Sequence, residues 1–93
     1  MAWAYVQTVP DGSLEEYDKV TREMGDIGIP EGLIIHVAGK VGGGIRIINV
    51  WESEGHYERF RDETLIPAFQ RAFGGMPDAE ATFERMDVHH LIR

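Results

Sequence analysis

The sequence predicts an α+β domain of the ferredoxin-like type with elements in the order βαββαβ, and three observations support this prediction. Segments with the two-residue period of a strand alternate in this order with segments of helical spacing. The glycine pair at 42–43 lies between two strand-like segments, as in a β-hairpin. Both helical regions begin at a serine, a residue that caps helices well. We therefore expect a four-stranded antiparallel sheet with both helices on one face, the split βαβ arrangement.

The composition is that of one small domain without disulfides. The chain has 93 residues, close to the lower limit for a self-sufficient core, and we expect residues 1–93 to form a single domain. It has no cysteine, which excludes a disulfide, a thiol nucleophile and a thiolate metal site. The net charge of −7 argues against a nucleic-acid partner. No segment approaches the ~20 apolar residues of a membrane span, so we expect a cytoplasmic protein with no membrane partner.

The first half of the chain predicts a strand followed by a capped helix. Residues 2–9 alternate between an aromatic side and a side of small and β-branched residues, as strand one requires. Ser13 and Glu16 have the spacing of a capping box. The helix should therefore cover about 14–24 and end at Gly25, which cannot continue it well.

Residues 33–41 and 45–51 predict strands two and three of the hairpin. If Val41 pairs with Gly44 across the turn, one face of the hairpin is aliphatic and the other holds histidine, asparagine and tryptophan. The facing pairs are then Ala38 with Ile47, Val37 with Ile48, His36 with Asn49, Ile35 with Val50, and Ile34 with Trp51.

The second half predicts an irregular helix and a last strand. Ser53 should cap the second helix, and Pro67 should bend or break it, with a short helix from about 65 to 73. Residues 74–77 predict a loop, and residues 81–92 predict strand four.

The sheet face opposite to the helices is expected to be covered by a second copy of the chain. We assign to it Trp3, Tyr5, Ile34, Ile47 and Trp51, which are too much apolar surface to leave in water. A homodimer that packs sheet against sheet would cover this surface and leave a lined cavity beside each sheet.

The chain resembles the dimeric α/β-barrel superfamily, especially its antibiotic-biosynthesis-monooxygenase-like branch. The resemblance is carried by the element order, by the junction Asn49-Val50-Trp51-Glu52-Ser53-Glu54 and by Pro30-Glu31-Gly32-Leu33 before strand two. It implies a homodimeric α/β barrel. Members of the superfamily include cofactor-independent monooxygenases of anthrone-type polyketide intermediates, polyketide cyclases and haem-degrading enzymes.

The same resemblance implies particular site residues. In the anthrone oxygenases the site tryptophan, a tyrosine on the next helix and a later arginine correspond to Trp51, Tyr57 and Arg71. Those enzymes have an asparagine four residues before the tryptophan, where this chain has Ile47, while Asn49 lies on the same strand face. The haem-degrading members have a ligating histidine where this chain has Arg61, so we expect no haem.

His36 is the candidate catalytic base. A neutral imidazole can take a proton from a phenol or an activated carbon at neutral pH. Asn49 is predicted to face His36 and could orient the ring or stabilise an oxyanion, and Tyr57 could donate a further hydrogen bond. The alternative is a structural histidine whose hydrogen bonds are satisfied at an interface.

The predicted walls of the cavity are aromatic and aliphatic. Trp51, Trp3 and Tyr5 provide flat surfaces for an aromatic ligand. Ile34 and Ile47 lie on the same face, and Arg71 is included from the resemblance. The alternative is that these side chains only pack the dimer.

The remaining candidate features predict neither a metal nor a cofactor. His89 and His90 are neighbours on a predicted strand, so their side chains should point to opposite faces and cannot share one ion. His56 lies in a first helical turn and is expected to be exposed. The glycines at 42–44 and 74–75 do not precede a helix as phosphate-binding glycines do.

Two functions therefore follow from the sequence. The first is an enzyme that binds an aromatic or polyketide-like substrate and abstracts a proton, for oxygenation or cyclisation. The second is a non-catalytic ligand-binding or accessory dimer of the same fold.

Overall fold

The computed structural model describes residues 2–75 and 82–92, and these residues form one antiparallel sheet with helices on one side. The elements are β1 (Trp3–Pro10), α1 (Leu14–Met24), β2 (Leu33–Val41), β3 (Gly44–Trp51), α2 (Glu54–Phe60), a π-helical turn (Arg61–Leu65), α3 (Ile66–Phe73) and β4 (Thr82–Asp87). The strand order is β2-β3-β1-β4. This order is that of the predicted ferredoxin-like α+β fold, which is thereby confirmed. Within residues 2–75 and 82–92, no helix is long and apolar enough to cross a membrane.

The first helix has the predicted capping box. The Glu16 N–H donates to the Ser13 hydroxyl oxygen at 3.1 Å, and the Ser13 N–H donates to the Glu16 carboxylate at 3.2 Å. These bonds satisfy two backbone N–H groups at the start of the helix that have no partner within the helix. The helix ends at Gly25, whose φ of 75° few other residues adopt readily.

The second helical region is irregular, as its proline predicts. The Ser53 hydroxyl accepts from the His56 N–H and caps α2. The π-helical turn follows, with the Ile66 N–H bonded five residues back to the Arg61 carbonyl. Pro67 lacks an N–H and its ring crowds the preceding turn, and the wider turn immediately before it relieves this crowding.

The hairpin has the predicted register except at its open end. His36 faces Asn49, Ala38 faces Ile47, and Val41 faces Gly44. A β-bulge between Leu33 and Ile35 places Leu33, and not Ile34, opposite Trp51. The predicted pairing of Ile34 with Trp51 is therefore wrong, because one extra residue on β2 shifts the alternation of side chains beyond the bulge.

The two faces of the sheet are the reverse of the prediction. Trp3, Tyr5 and Trp51 are at most 5% exposed in the single chain, and they pack against Tyr57 of α2. The prediction that a second copy covers this aromatic face is wrong, because α2 already covers it. The opposite face is mainly aliphatic, with the charged residues Arg46 and Glu84 at its margins. Three of its large apolar side chains are exposed, namely Val37 (51%), Ile48 (38%) and Met86 (55%).

The fourth strand is shorter than predicted. It ends at Asp87, and β4 pairs with β1 from Thr82 to Asp87. His89 and His90 follow the end of the strand, and both are exposed. Positions 76–77 of the predicted loop, and position 81 of the predicted strand, lie outside the described residues.

The hairpin turn provides a test of this packing. A Cβ at Gly44 would overlap the Val9 carbonyl oxygen on β1, whereas a Cβ at Gly42 would meet no described heavy atom within 4 Å. Gly44→Ala should lower the free energy of unfolding by about 1–3 kcal/mol because the strands must separate. Gly42→Ala is the matched control and should change it by less than about 0.5 kcal/mol. Chemical denaturation followed by circular dichroism measures both; equal losses in the two variants would contradict the close contact of β1 and β3.

Candidate active site between the sheet and the helices

The centre of the domain is a cluster of aromatic side chains between the sheet and α2. Trp3 and Tyr5 of β1, Trp51 of β3 and Tyr57 of α2 are each less than 9% exposed. The ring centroids of Tyr5 and Tyr57 lie 4.8 Å apart, and those of Trp3 and Tyr57 lie 5.4 Å apart. Such contacts add to the stability that apolar burial gives. Partly buried hydrophobic residues surround the cluster, namely Leu33, Ile47, Phe60 and Phe83.

A chain of four hydrogen-bonded side chains extends from this cluster to the surface. The Asn49 Nδ2 donates to the Tyr5 hydroxyl at 2.6 Å, and the Asn49 Oδ1 lies 2.5 Å from the His36 Nδ1. The His36 Nε2 lies 2.6 Å from the Tyr17 hydroxyl. Asn49 is 5% exposed, whereas His36 is exposed. We call this set, Tyr5, Asn49, His36 and Tyr17, the polar chain.

The polar chain assigns the proton positions on the imidazole. The amide oxygen of Asn49 can only accept, so Nδ1 of a neutral His36 must carry the proton. Nε2 is then the basic nitrogen, and the Tyr17 hydroxyl donates to it. Because β3 holds Asn49 inside the domain, the ring is oriented with its lone pair directed towards α1. This orientation is the one that a general base requires.

Burial keeps the phenols of the cluster neutral. Desolvation raises the pKa of Tyr5 well above its ordinary value of 10.0, and the neighbouring Tyr57 raises it further, against the opposing hydrogen bond from Asn49. Desolvation also raises the pKa of Tyr57, while Arg61, 5.7 Å from its ring, opposes this change. Both side chains are neutral phenols at neutral pH, as any tyrosine is, and the raised pKa keeps them protonated at more alkaline pH than an exposed tyrosine.

Trp51 contributes a buried donor without a partner. It is 1% exposed, and its Nε1 has no hydrogen-bond acceptor among the described residues. A buried unpaired N–H is costly. Its ring lies against Tyr57 and Phe60, with centroids 5.9 Å and 5.4 Å away. A ligand that stacks on Trp51 would therefore have to displace one of these two rings.

The structure brings together most of the predicted site residues and separates two of them. His36, Asn49 and Tyr5 belong to the polar chain, and Ile47 packs beside the aromatic cluster. Arg71 lies elsewhere: its Nη2 donates to the Glu23 carbonyl at 2.8 Å and ties α3 to the end of α1. Ile34 is displaced by the bulge on β2, and Leu33 packs against the cluster in its place.

Sequence reasoning missed Tyr17 as a site residue. Its position in the helical pattern of α1 identified it only as an apolar contact. The signal available was its hydroxyl, because a tyrosine on the inner side of a helix usually finds a polar partner. Phe83 was also missed, although it stacks on Tyr5 at 4.5 Å, since strand four has an irregular alternation.

A separate groove of about 230 Å³ lies between the α1–β2 loop and the α2 region. Its volume is below the ~300 Å³ lower limit typical of small-molecule sites. His56 lies on this groove and is half-buried, not exposed as predicted, with its Nδ1 2.6 Å from the Ser53 hydroxyl. In the part of the chain that the structure describes, no three acidic or histidine side chains are placed to hold a metal ion. The groove is lined by Ile27, Ile29, Pro30, Glu31, His56, Arg59, Phe60, Glu63 and Thr64.

Comparison with solved structures identifies proteins of the same fold. A variant of SnoaB, a cofactor-independent oxygenase from Streptomyces nogalater, superimposes with a TM-score of 0.68 at 10% identity, over 98% of this chain and 96% of that chain. A proposed antibiotic biosynthesis monooxygenase from Chloroflexus aurantiacus J-10-fl gives 0.66 at 14% identity, over 100% and 98%. A monooxygenase from Streptomyces coelicolor in complex with nanaomycin D gives 0.50 at 21% identity, over 99% and 92%. No family model and no curated protein sequence matches the chain.

These similarities define the class of fold. The chain has the ferredoxin-like fold of antibiotic-biosynthesis-monooxygenase-like proteins, and the resemblance predicted from the sequence is confirmed at this level. The roles of the individual site residues stay predictions, because a likeness at 10–21% identity concerns the fold.

The buried phenols give the protein a characteristic alkaline response. The raised pKa of Tyr5 means that the unfolded chain loses this proton near pH 10 while the folded chain keeps it. The contribution to stability is therefore complete below about pH 10 and decreases as the pH rises above it. Urea denaturation between pH 8 and pH 11 should show this decrease, and Tyr5→Phe should make it smaller. Phe83→Leu, which alters the same cluster without an ionisable group, should keep the wild-type slope; a Tyr5→Phe slope equal to that of the wild type would contradict the assignment.

Proposed function

We propose that the protein is a cytoplasmic, homodimeric, cofactor-independent monooxygenase that takes a proton from an aromatic, polyketide-like substrate. The observation that carries this proposal is the polar chain, which fixes the orientation of His36 and directs its basic Nε2 at the Tyr17 hydroxyl of α1. The similarity to a cofactor-independent oxygenase supports oxygen as the second reactant. Cyclisation would begin with the same proton transfer, but no comparison favours it.

The proposed reaction needs a base and little else from the protein. His36 takes one proton from the phenolic enol tautomer of an activated methylene ketone, and the resulting anion, the same one that loss of a methylene proton would give, is delocalised into the aromatic rings. This carbanion transfers an electron to dioxygen, and the two radicals combine to a hydroperoxide after return of one proton. Loss of water then leaves a carbonyl group. The methylene loses two hydrogens, one oxygen atom becomes the carbonyl oxygen, and the other leaves as water.

The neighbouring side chains have supporting roles in this proposal. Asn49 holds the Nδ1 proton of His36 and stabilises the imidazolium that forms. Tyr57 is a buried neutral phenol that can donate a hydrogen bond to the developing oxyanion. Trp51 would provide a flat wall once a ligand displaces Tyr57 or Phe60 from its ring, and its unpaired Nε1 supports contact with a ligand acceptor.

A second candidate function is ligand binding without turnover. The observation in its favour is the close packing of the aromatic cluster, in which Trp51 is 1% exposed. In such a protein the polar chain would orient a ligand, and no proton would be transferred. The two candidates differ in whether a bound aromatic compound is consumed.

Replacement of His36 separates these candidates. With a hydroxylated anthrone under air, the wild type should consume oxygen faster than the uncatalysed reaction and form the corresponding quinone. His36→Ala should lower this rate about 10²- to 10⁴-fold, because general-base catalysis is lost. An oxygen electrode and quinone absorbance measure the rate.

His90→Ala is the matched control, because His90 is exposed beyond the end of β4. It should keep the wild-type rate, and circular dichroism should show that both variants are folded. Full turnover in His36→Ala would rule out His36 as the base. Tight anthrone binding by the wild type without oxygen uptake would favour the second candidate.

The homodimer in this proposal uses the aliphatic face of the sheet. The apolar side chains of this face are half-buried or exposed, and α1, α2 and α3 all lie on the other side of the sheet. These apolar side chains are Val6, Ile35, Val37, Ile48, Val50 and Met86. Exposed apolar surface of this kind is typical of an interface between subunits. A copy seated there leaves the polar chain on the other side of the sheet accessible to a substrate.

A charge on this face tests the dimer. Val37 is 51% exposed in the single chain, so Val37→Lys should leave the fold intact but place a desolvated ammonium in the interface. Light scattering after gel filtration should change from the mass of a dimer to that of a monomer of 10.5 kDa. Ile29→Lys is the control, because Ile29 is 83% exposed on the α1–β2 loop. A dimeric Val37→Lys protein would contradict this interface.

A further inference from the structure

We propose that Tyr17 occupies the position of a phenolic ligand hydroxyl, and that ligand binding displaces it from His36. The protein would thus recognise a phenol through the His36 Nε2, with Tyr17 as the competing group of the free protein. The proposal deepens the proposed function, on which it rests for the aromatic nature of the ligand.

The chemistry of the contact identifies the ligand group. Tyr17 donates a phenolic O–H to Nε2 at 2.6 Å, and the two ring planes differ by only 13° with centroids 6.1 Å apart. The phenol and the imidazole are therefore nearly parallel, with the hydroxyl at hydrogen-bond distance from Nε2. A ligand phenol can form the same bond. An ether or a carbonyl group cannot, because neither has a proton to donate.

The buried end of the polar chain does not move easily. Asn49 is 5% exposed on β3, and its amide joins Tyr5 and His36. Removal of either partner would leave a buried polar group unpaired, which is costly. The Nδ1 proton of His36 is therefore fixed, and Nε2 is the only ring nitrogen that can exchange its partner.

The outer end of the chain can exchange its partner readily. His36 is exposed and Tyr17 is half-buried, so water can solvate both groups when they separate. The described helix α1 (Leu14–Met24) has no buried residue. Its contacts with α3 include two at the surface, namely Arg71 on the Glu23 carbonyl and Lys19 at 5.0 Å from the Phe73 ring centroid. Rotation of the Tyr17 side chain therefore disturbs little packing.

While the Tyr17 hydroxyl is hydrogen-bonded to Nε2, His36 cannot take a proton from a substrate. The only basic nitrogen of the polar chain already accepts a hydrogen bond, so a substrate must replace that donor before His36 can act on it. A substrate phenol replaces that donor directly, whereas a substrate without a donor leaves Nε2 with only water as a partner. Tyr17 thereby selects for phenolic substrates.

A binding experiment with Tyr17→Phe tests the proposal. The probe is anthraflavic acid, a tricyclic diphenol whose hydroxyl groups are not bonded to its own carbonyls, and its dimethyl ether is the control ligand. Removal of the competing hydroxyl should tighten binding of the diphenol about three- to tenfold, as expected for one exchanged hydrogen bond. The ether should bind both proteins equally. Isothermal titration calorimetry measures the four affinities.

A second measurement needs no ligand. Diethyl pyrocarbonate acylates the unprotonated nitrogen of an imidazole, and in the wild type Tyr17 blocks this nitrogen of His36. Tyr17→Phe should raise the rate of His36 modification several-fold, as read by mass spectrometry of peptides. The exposed His89 and His90 are internal controls and should keep their rates.

Weaker or unchanged diphenol binding by Tyr17→Phe, no binding up to about 1 mM, or an unchanged His36 modification rate would overturn the proposal. The predicted binding pattern without oxygen uptake would uphold it while the proposed oxygenation fails. Anthrone turnover in which Tyr17→Phe lowers kcat at constant KM would show that Tyr17 acts in catalysis, and would overturn the displacement.

Discussion

The buried carboxamide of Asn49 is the constraint on which the geometry of the site depends. A primary amide inside a domain must find partners for its oxygen and its nitrogen, since each unpaired group would cost about 1–3 kcal/mol. Asn49 meets this requirement across the sheet, with Tyr5 of β1 on one side and His36 of β2 on the other. The three neighbouring strands β2, β3 and β1 are thereby joined by side chains as well as by their backbones. The same bonds fix the tautomer of His36, so stability and candidate chemistry have one origin.

The aromatic face of the sheet is the inner face because α2 offers matching rings. Tyr57 and Phe60 pack onto Trp51, which lies at the end of the strand that leads into α2. This short connection returns the helix onto its own strand, so the cluster closes within a single chain. Among residues 2–75 and 82–92, the aliphatic face has no such partner. Its exposed valine, isoleucine and methionine side chains therefore form the apolar surface that would gain most from burial against another molecule.

The helices, the strands and most of the strand register could be predicted from the sequence. The sheet face that the helices cover could not. The capping box of Ser13, the glycine turn and Pro67 each have local physical consequences, and the structure has all three features. The pairing of His36 with Asn49 followed from the turn alone, because register is propagated residue by residue from it. The bulge before Ile35 has no local signal, and neither does the choice of face for α2. Both depend on how side chains from distant segments fit, which explains why Ile34 was misplaced and Tyr17 overlooked.

The placement of the two tryptophans gives the protein an internal optical reporter. Trp3 and Trp51 are the only tryptophans of the sequence, and both belong to the aromatic cluster beside the polar chain. The indole emission of the whole protein therefore originates in the candidate site and is insensitive to events on the outer surface. An aromatic molecule that enters between the sheet and α2 must alter the surroundings of at least one indole. Quenching or a shift in emission wavelength would thus register occupancy without any label, and screening of unmodified compounds becomes possible with the native chain.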